Sequence, residues 1–320
     1  MKKIGIFTSG GDSPGMNACI RAAVRTAIFN HVEVIGINRG YQGMIENDMF
    51  QMPSRMVSNI IQRGGTILRT ARSKEFMSYE GRKKAYDNLK AMGVEGLFCI
   101  GGDGSYTGAK QFYEDFGMPI IGAPGTIDND IYGTDFTIGF DTAINTALDA
   151  IDRIRDTADS HNRVFFIEVM GRHTGFIALA SGIAGGAEAI MIPEEKNDLD
   201  KLINLFKNSK KAFSIVVVAE GDEDGGALKL AEILKKHILD FDPKVSILGH
   251  IQRGGKPSAF DRVLATQLGN AGVEALLAGQ KNKAAGLMNN EVVFTDFKDA
   301  ISNKKLLNPR LIRMVDILNV

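Results

Sequence analysis

The sequence has little cysteine, no surplus of either charge and no long apolar run, and each scarcity removes a class of protein. Two cysteines in 320 residues, Cys19 in a helical pattern and Cys99 in an apolar strand, argue against a disulfide framework and fit a reducing compartment. Both read as small buried hydrophobes rather than reactive thiols. The 38 basic residues balance 38 acidic ones, so bulk electrostatics point to neither nucleic acid nor a membrane surface. Any phosphate binding has to come from local clusters. No apolar run approaches the ~20 residues of a membrane helix. The opening residues Met1-Lys2-Lys3-Ile4 enter a strand at once, without the apolar region and cleavage site of a secretory leader. The expectation is a cytoplasmic protein.

Glycine, by contrast, is abundant at 36 residues, and the excess lies at the ends of segments, as many tight turns require. Apolar and charged fractions of 44% and 24% are ordinary for a globular chain, long enough for one large core or two domains. Short apolar runs alternate with longer helical patterns. Strands are expected at 4–8, 32–37, 96–100, 120–123, 164–169, 214–219 and 245–248. Helices are expected at about 16–29, 79–92, 260–278 and 309–318, with Gly93 as the stop of the second. In the stretch 141–156, Ile144, Ala147, Leu148, Ile151 and Ile154 share one stripe while Asp149, Asp152 and Arg153 face away. That alternation predicts an α/β fold with parallel, doubly wound sheets in two lobes, the first crossing falling in the helix at 141–156.

Open α/β sheets bind ligands beyond the carboxyl ends of their strands. Six such ends carry glycine and charge: Ser9-Gly10-Gly11-Asp12, Gly101 to Ser105, Gly125-Thr126-Ile127-Asp128-Asn129-Asp130, Met170-Gly171-Arg172, Glu220-Gly221, and His250 to Gly255. Glycines expose backbone N–H groups and helix N-termini add a positive dipole. Arg172, Arg253 and His250 offer charge-assisted donors, and the aspartates could hold Mg²⁺ or accept a proton. These are the parts that phosphoryl transfer requires.

Each part also has an ordinary structural role. Gly10-Gly11 can be a tight turn, Asp103 a helix cap, and Asp128 and Asp130 turn stabilisers. Arg172 and Arg253 can be surface ion-pair partners, His250 a satisfied histidine, and Arg21 with Arg25 a solvated helix face. No P-loop is present, because Met16-Asn17 follow Gly15 where Lys-Ser/Thr is needed. The dinucleotide fingerprint also fails, since Thr107 replaces the third glycine after Gly102 and Gly104. No two of the five histidines show metal-ligand spacing. For the chain to be inert, every one of these ordinary roles has to hold at once.

The motifs together resemble bacterial ATP-dependent 6-phosphofructokinases, essentially from end to end. The carrying runs are Thr8 to Asp12 with Pro14 to Asn17, Gly101 to Ser105, Pro124 to Asp130, Glu168 to Arg172, and Gly249 to Gly255. The resemblance implies two similar doubly wound lobes: 1–138 plus about 251–301 for ATP, and 139–250 plus about 302–320 for the sugar phosphate. It implies transfer of the ATP γ-phosphoryl group to the 1-hydroxyl of fructose 6-phosphate. Asp128 would be the general base and Asp103 would help hold Mg²⁺. Gly11, Arg72, Ser73, Gly102, Asp103, Gly104 and Ser105 would line the nucleotide site. Arg172, Arg72 and the Gly11 N–H would meet the transferring charge. Thr126, Ile127, Met170, Gly171 and Glu220 would orient the sugar. Ile251 and Gln252 would be further substrate residues, and Arg163, Lys244, His250 and Arg253 would hold its 6-phosphate, with Arg163 and Lys244 coming from a neighbouring chain of a homotetramer. An effector site for ADP and phosphoenolpyruvate would use Arg21, Arg25, Arg55, Ser58, Asn59, Arg155, Gly186, Glu188, Lys210 and Lys211.

The chain departs from that family in three places. Position 244 is Lys where Arg is usual, which keeps the charge but loses bidentate geometry. The usual effector-site arginine falls at Ser54, with Arg55 one place on. Ala212-Phe213 follow the two lysines where the family tends to have His. Pyrophosphate-dependent relatives usually carry Asp at the place of Gly104 and Lys at that of Gly125, so the two glycines favour ATP. The competing expectations are pyrophosphate as donor, another acceptor such as tagatose 6-phosphate, and a catalytically silent sugar-phosphate sensor.

Overall fold

Continuous apolar runs bounded by glycine become strands buried on both faces, and the longer amphipathic runs become the helices that cover them. A computed structural model describes residues 1–161, 163–195, 198–208, 214–221, 225–238 and 241–318. In chain order the elements begin β1 (Lys3–Thr8), α1 (Met16–Phe29), β2 (Glu33–Ile37), α2 (Gly40–Glu46), β3 (Met49–Gln51), α3 (Tyr79–Ala91), β4 (Gly96–Gly101), α4 (Asp103–Phe116) and β5 (Ile120–Pro124). They continue with α5 (Phe140–His161), β6 (Val164–Val169), α6 (Phe176–Ala184), β7 (Ala189–Met191), α7 (Asp198–Asn208), β8 (Ser214–Ala219), α8 (Gly226–His237) and β9 (Lys244–Ile247). The last are α9 (Ala259–Leu277), β10 (Lys283–Met288), β11 (Glu291–Asp296), α10 (Phe297–Ser302) and α11 (Pro309–Leu318). None of the described helices is long and apolar enough to cross a membrane.

The chain divides into two compact units. One comprises Met1–Ile127, Ile131–Thr142 and Arg253–Lys305; the other comprises Asp128–Asp130, Ala143–Gln252 and Leu306–Val320. The first holds a sheet of order β11-β10-β5-β4-β1-β2-β3, parallel except for the edge pairs β10–β11 and β2–β3. After β2 and β3 the chain returns to the other side of β1, where β4 pairs Thr8 with Ile100. That reversal is a switch point, and it leaves a crevice at the carboxyl ends of β1 and β4. The second unit holds an all-parallel sheet of order β7-β8-β6-β9. Its reversal falls between β6 and β9, with β8 on the far side of β6.

Packing follows from composition. Ile4, Ile6, Phe98, Ile100 and Ile121 are buried with Cys19, Ile20 and Val24 of α1 and Leu264 and Leu268 of α9. Each full burial of such an aliphatic or aromatic side chain contributes ~1.5–3 kcal/mol. Helices α1 and α9 approach closely because Gly269 has no side chain: a Cβ there would lie 2.6 Å from the Cys19 carbonyl oxygen. Gly93 ends α3 with φ 75°, and its N–H and that of Val94 bond back to Lys90 and Leu89, the paired bonds of a Schellman stop. Both cysteines are buried and unpaired, and burial pushes their thiols well up.

Several boundaries differ from the sequence expectation. Helix α5 runs five residues past 156, because its buried stripe of Ala147 and Ile151 continues to Ala158. Strand β9 begins at Lys244 and ends at Ile247, one residue earlier than expected, since Lys244 pairs in register with Phe165. The edge hairpin of β10 and β11 and the helices α2, α6, α7, α8 and α10 were not anticipated.

Candidate active site

In the first unit, β1 and β4 deliver two glycine loops side by side. The Ser9 N–H bonds to the Ile100 carbonyl at 3.0 Å, and Gly125 N–H bonds to the Gly101 carbonyl at 3.0 Å, so three strand ends are stitched together. Gly102 is the N-cap of α4, without a side-chain capping bond, and Asp103, Gly104 and Ser105 form the helix's first turn. The first-turn N–H groups and the helix dipole make this an anion-receptive end. Thr126 lies beside it: a Cβ on Gly102 would be 3.7 Å from the Thr126 Cβ. Thr126 is held by its carbonyl, which accepts the Thr137 hydroxyl at 2.7 Å.

The two glycines expected to favour ATP, Gly104 and Gly125, have different surroundings. Around Gly104 nothing lies within 4 Å of where a Cβ would stand. Glycine inside a helix costs ~0.5–1 kcal/mol relative to Ala, and packing does not require it here. At Gly125 a Cβ would meet the Met16 Cε at 2.8 Å and the Ile100 Cγ2 at 3.0 Å, so part of that preference is packing.

The loop carrying Arg72 and Ser73 is anchored to β1 and α1. Thr8 Oγ1 donates to the Arg69 carbonyl at 2.8 Å, and the Asn17 amide spans the Arg63 and Gly64 carbonyls and the Ile67 N–H. Ser73 Oγ accepts the Phe76 N–H at 3.2 Å, and Arg72 is exposed. Phe76 stacks on Tyr41 at 4.0 Å, and the Tyr41 hydroxyl donates to the Ser105 carbonyl at 2.5 Å. One aromatic brace therefore joins this loop to the start of α4. Arg253 belongs to the same unit. Its Nη2 pairs with Asp12 Oδ1 at 3.1 Å, its Nε donates to the Asp12 carbonyl at 3.4 Å, and it lies against Gly11.

In the second unit, the ends of β6, β8 and β9 converge in the same way. The Met170 N–H donates to Gln252 Oε1 at 2.9 Å, and the Arg172 N–H donates to Glu220 Oε1 at 2.8 Å. Gly171 has φ 147° and Arg172 has φ 60°, a left-handed turn that leaves the arginine side chain exposed. Gly221 has to be glycine, because a Cβ would sit 2.0 Å from the Arg172 carbonyl oxygen. Thr174 Oγ1 donates to the Gly171 and Asp128 carbonyls at 3.0 and 3.4 Å, which sets the half-buried Asp128 beside this turn. Asn129 between the two aspartates is buried with φ 54°. His250 and Ile251 are exposed, and Gln252 is fully buried. Arg163 is exposed, and Lys244 pairs with Asp242 at 2.6 Å, which pulls the Asp242 carboxyl below its usual range.

The expected effector residues fall into two groups. Arg21 and Arg25 lie on α1, which packs on the 3₁₀ turn Ser54–Val57 that precedes Ser58 and Asn59 and contains Arg55. Partial burial and then the neighbouring Arg25 lower the pKa of Arg21. Arg155 donates to the carbonyls of Gly185 and Gly186, and Glu188 accepts the Ile215 N–H at 2.7 Å. Lys210, Lys211, Ala212 and Phe213 lie outside the described residues. A cavity of about 400 Å³ at β7, α7 and α11 includes Glu188 but none of the strand-end residues.

Sequence reading gave Asp12, Asp242 and Gln252 no individual partner. Asp242 stands two residues before Lys244, a local signal that could have been used. Asp12 and Arg253 are 241 residues apart, and no local pattern connects them.

The comparisons with known proteins agree with one another. The family profile described as Phosphofructokinase matches residues 3–276. The chain is 55% identical to an ATP-dependent 6-phosphofructokinase of Cytophaga hutchinsonii over 322 residues, covering 100% of this chain and 98% of that one. It is 58% identical to the ATP-dependent 6-phosphofructokinase 1 of Thermus thermophilus, covering 99% of each. Among solved structures, the phosphofructokinase of Saccharomyces cerevisiae superposes with a TM-score of 0.87 at 35% identity. The alignment covers 100% of this chain and 47% of the yeast chain. A pyrophosphate-dependent phosphofructokinase of Marinobacter aquaeolei shares the fold at a TM-score of 0.84 and 24% identity, over 97% of this chain and 86% of that one.

Proposed function

The chain belongs to the phosphofructokinase family, and we propose that it transfers the γ-phosphoryl group of ATP to the 1-hydroxyl of fructose 6-phosphate. The observation that carries this reading is the set of glycine-rich strand ends at the switch point of the first sheet, with an open Gly104 in the first turn of α4. A nucleotide's phosphates suit exposed N–H groups at a helix start, and Gly104 leaves them room.

Residue roles follow from chemistry. The Asp128 carboxylate takes the proton of the sugar's 1-hydroxyl as the oxygen attacks phosphorus. Arg72, Arg172 and the Gly11 N–H meet the charge that spreads over the transferring oxygens. Ser73, Gly102, Gly104 and Ser105 line the nucleotide. Thr126, Ile127, Met170, Gly171 and Glu220 set the sugar ring, with Glu220 itself fixed by the Arg172 N–H. Ile251 and Gln252 line the substrate, and Arg163, Lys244, His250 and Arg253 take the 6-phosphate. The charge-assisted bonds of those four basic side chains orient the substrate without touching the reacting atoms.

Among the described residues no group of three or more His, Cys, Asp or Glu is placed to hold a metal ion. A single carboxylate at a helix start, Asp103, fits Mg²⁺ instead, which keeps several waters and is held by one or two carboxylates with substrate phosphates. Bound there with the nucleotide, it supplies neutralising charge to the phosphate oxygens. Cytoplasmic location, a homotetramer in which Arg163 and Lys244 serve a neighbouring chain's sugar site, and regulation by ADP and phosphoenolpyruvate complete the reading.

The test is product identity. Incubation with fructose 6-phosphate and MgATP, followed by phosphorus NMR, should show a new phosphate on O1 and stoichiometric ADP. ATP hydrolysis without sugar phosphorylation would refute the reading.

A further inference from the structure

Arg253 sits in the first unit with its guanidinium against Gly11. A Cβ on Gly11 would lie 2.2 Å from Nη2 and 3.0 Å from Cζ. What holds the side chain there is Asp12. The carboxylate pairs with Nη2 at 3.1 Å and the Asp12 carbonyl accepts from Nε at 3.4 Å. The pair is partly shielded, with side-chain exposures of 24% for Arg253 and 43% for Asp12. Asp12 lies between Gly11, against which the Arg253 guanidinium packs, and Pro14, which leads into α1. Behind it, Asn17 fixes the segment 63–67, where Gly65 faces the other Asp12 oxygen.

We propose that Asp12 is a positioning residue for Arg253, presetting its guanidinium for the 6-phosphate of the sugar. The inference rests on the reading above, in which Arg253 binds that phosphate. A guanidinium has five N–H donors in a fixed fork, and Asp12 engages only Nη2 and Nε. The Nη1 donors make no bond among the described residues, so a phosphate can bind without evicting Asp12. Two opposing effects then decide the sign. Asp12 draws off some of the guanidinium's charge, and it removes the rotamer freedom of a long side chain before substrate arrives. The carboxylate and the main-chain carbonyl of one residue hold the guanidinium together, so the arginine's rotamer entropy is already lost when substrate arrives, whereas the charge drawn off by a partly exposed pair is small. Asp12 therefore tightens sugar-phosphate binding although both groups are anionic.

The experiment is steady-state kinetics of the full chain and its Asp12→Asn and Asp12→Glu variants, with melting temperatures. Asp12→Asn should raise the KM for fructose 6-phosphate about tenfold, the scale of one rotamer-rich side chain left unordered. The KM for MgATP and kcat should stay within about twofold, and Asp12→Glu should recover most of the loss, because it restores the carboxylate. In an Arg253→Lys background, Asp12→Asn should add little, since the two changes remove one interaction. An unchanged or lowered sugar KM in Asp12→Asn would overturn the proposal. So would a rise in both KM values with a lower melting temperature, which would assign Asp12 to loop stability alone. Absence of turnover in the unsubstituted chain would instead sink the functional reading on which the proposal stands.

Discussion

The Asp261 carboxylate, fully buried at the start of α9, accepts both the main-chain N–H of Thr142 at 2.8 Å and its hydroxyl at 2.5 Å. It also accepts the Gly139 N–H at 2.8 Å, so it satisfies the orphan donors at the N-terminus of α5. Ser258 reinforces the joint: its hydroxyl bonds to Asp141 at 2.5 Å and accepts the Asp261 N–H. The clamp grips α5 at Thr142, one of the residues at which the chain leaves the first unit for the second.

Asp261→Asn should lower stability by about 1–3 kcal/mol, because Asn puts a donor where three donors already point. Burial raises the Asp261 pKa more than its hydrogen bonds lower it. The folded state therefore holds this proton to higher pH than the unfolded chain. Its contribution is fully present below the usual aspartate value and is lost as pH rises through the raised one. Urea midpoints at neutral pH check the substitution, and in the unsubstituted chain the contribution of this proton should fall as pH rises through that window.

Asp128→Asn should cut kcat by about 10²–10⁴-fold, the usual worth of a positioned base. The KM for fructose 6-phosphate should change little, because Asn keeps size and polarity. Initial rates over both substrates decide the matter, and a change confined to KM would remove Asp128 from the base role.

Gly104 and Gly125 should respond differently to alanine. Gly104→Ala enters open space on a helix and should stabilise the fold by about 0.5–1 kcal/mol while raising the KM for ATP. Gly125→Ala has to displace the Met16 and Ile100 side chains and should destabilise by about 1–3 kcal/mol. Melting curves paired with ATP titrations separate the two.

Arg21→Ala and Arg25→Ala should remove any shift that ADP or phosphoenolpyruvate produces in the half-saturating sugar concentration, leaving kcat unchanged. Arg155→Ala should do the same and also lower stability by about 0.5–1.5 kcal/mol, since it strips the Gly185 and Gly186 carbonyls of their donor. A flat effector response in the unsubstituted chain would return Arg21 and Arg25 to an ordinary solvated face.

Strands 4–8, 96–100 and 164–169 were legible because parallel strands buried on both faces read as continuous apolar runs ending in glycine. The hairpin of β10 and β11 was not, although Asn289 and Asn290, with φ of 52° and 65°, form the two-residue turn that joins it. Two adjacent asparagines between apolar runs were the usable signal. Helix α6 is apolar nearly all round, so it has no polar face to mark its period. Of the site, the strand-end residues were visible as local motifs. The partners Asp12 for Arg253, Asp261 for Thr142 and Gln252 for Met170 join segments 82 to 241 residues apart, and only tertiary packing brings them together.

The central claim is phosphoryl transfer from ATP to fructose 6-phosphate, and a coupled assay of fructose 1,6-bisphosphate formation with MgATP or magnesium pyrophosphate as donor tests it most directly. Rapid turnover with ATP and little or none with pyrophosphate is the predicted result, given glycine at positions 104 and 125. No turnover with ATP, or a preference for pyrophosphate, would contradict the account.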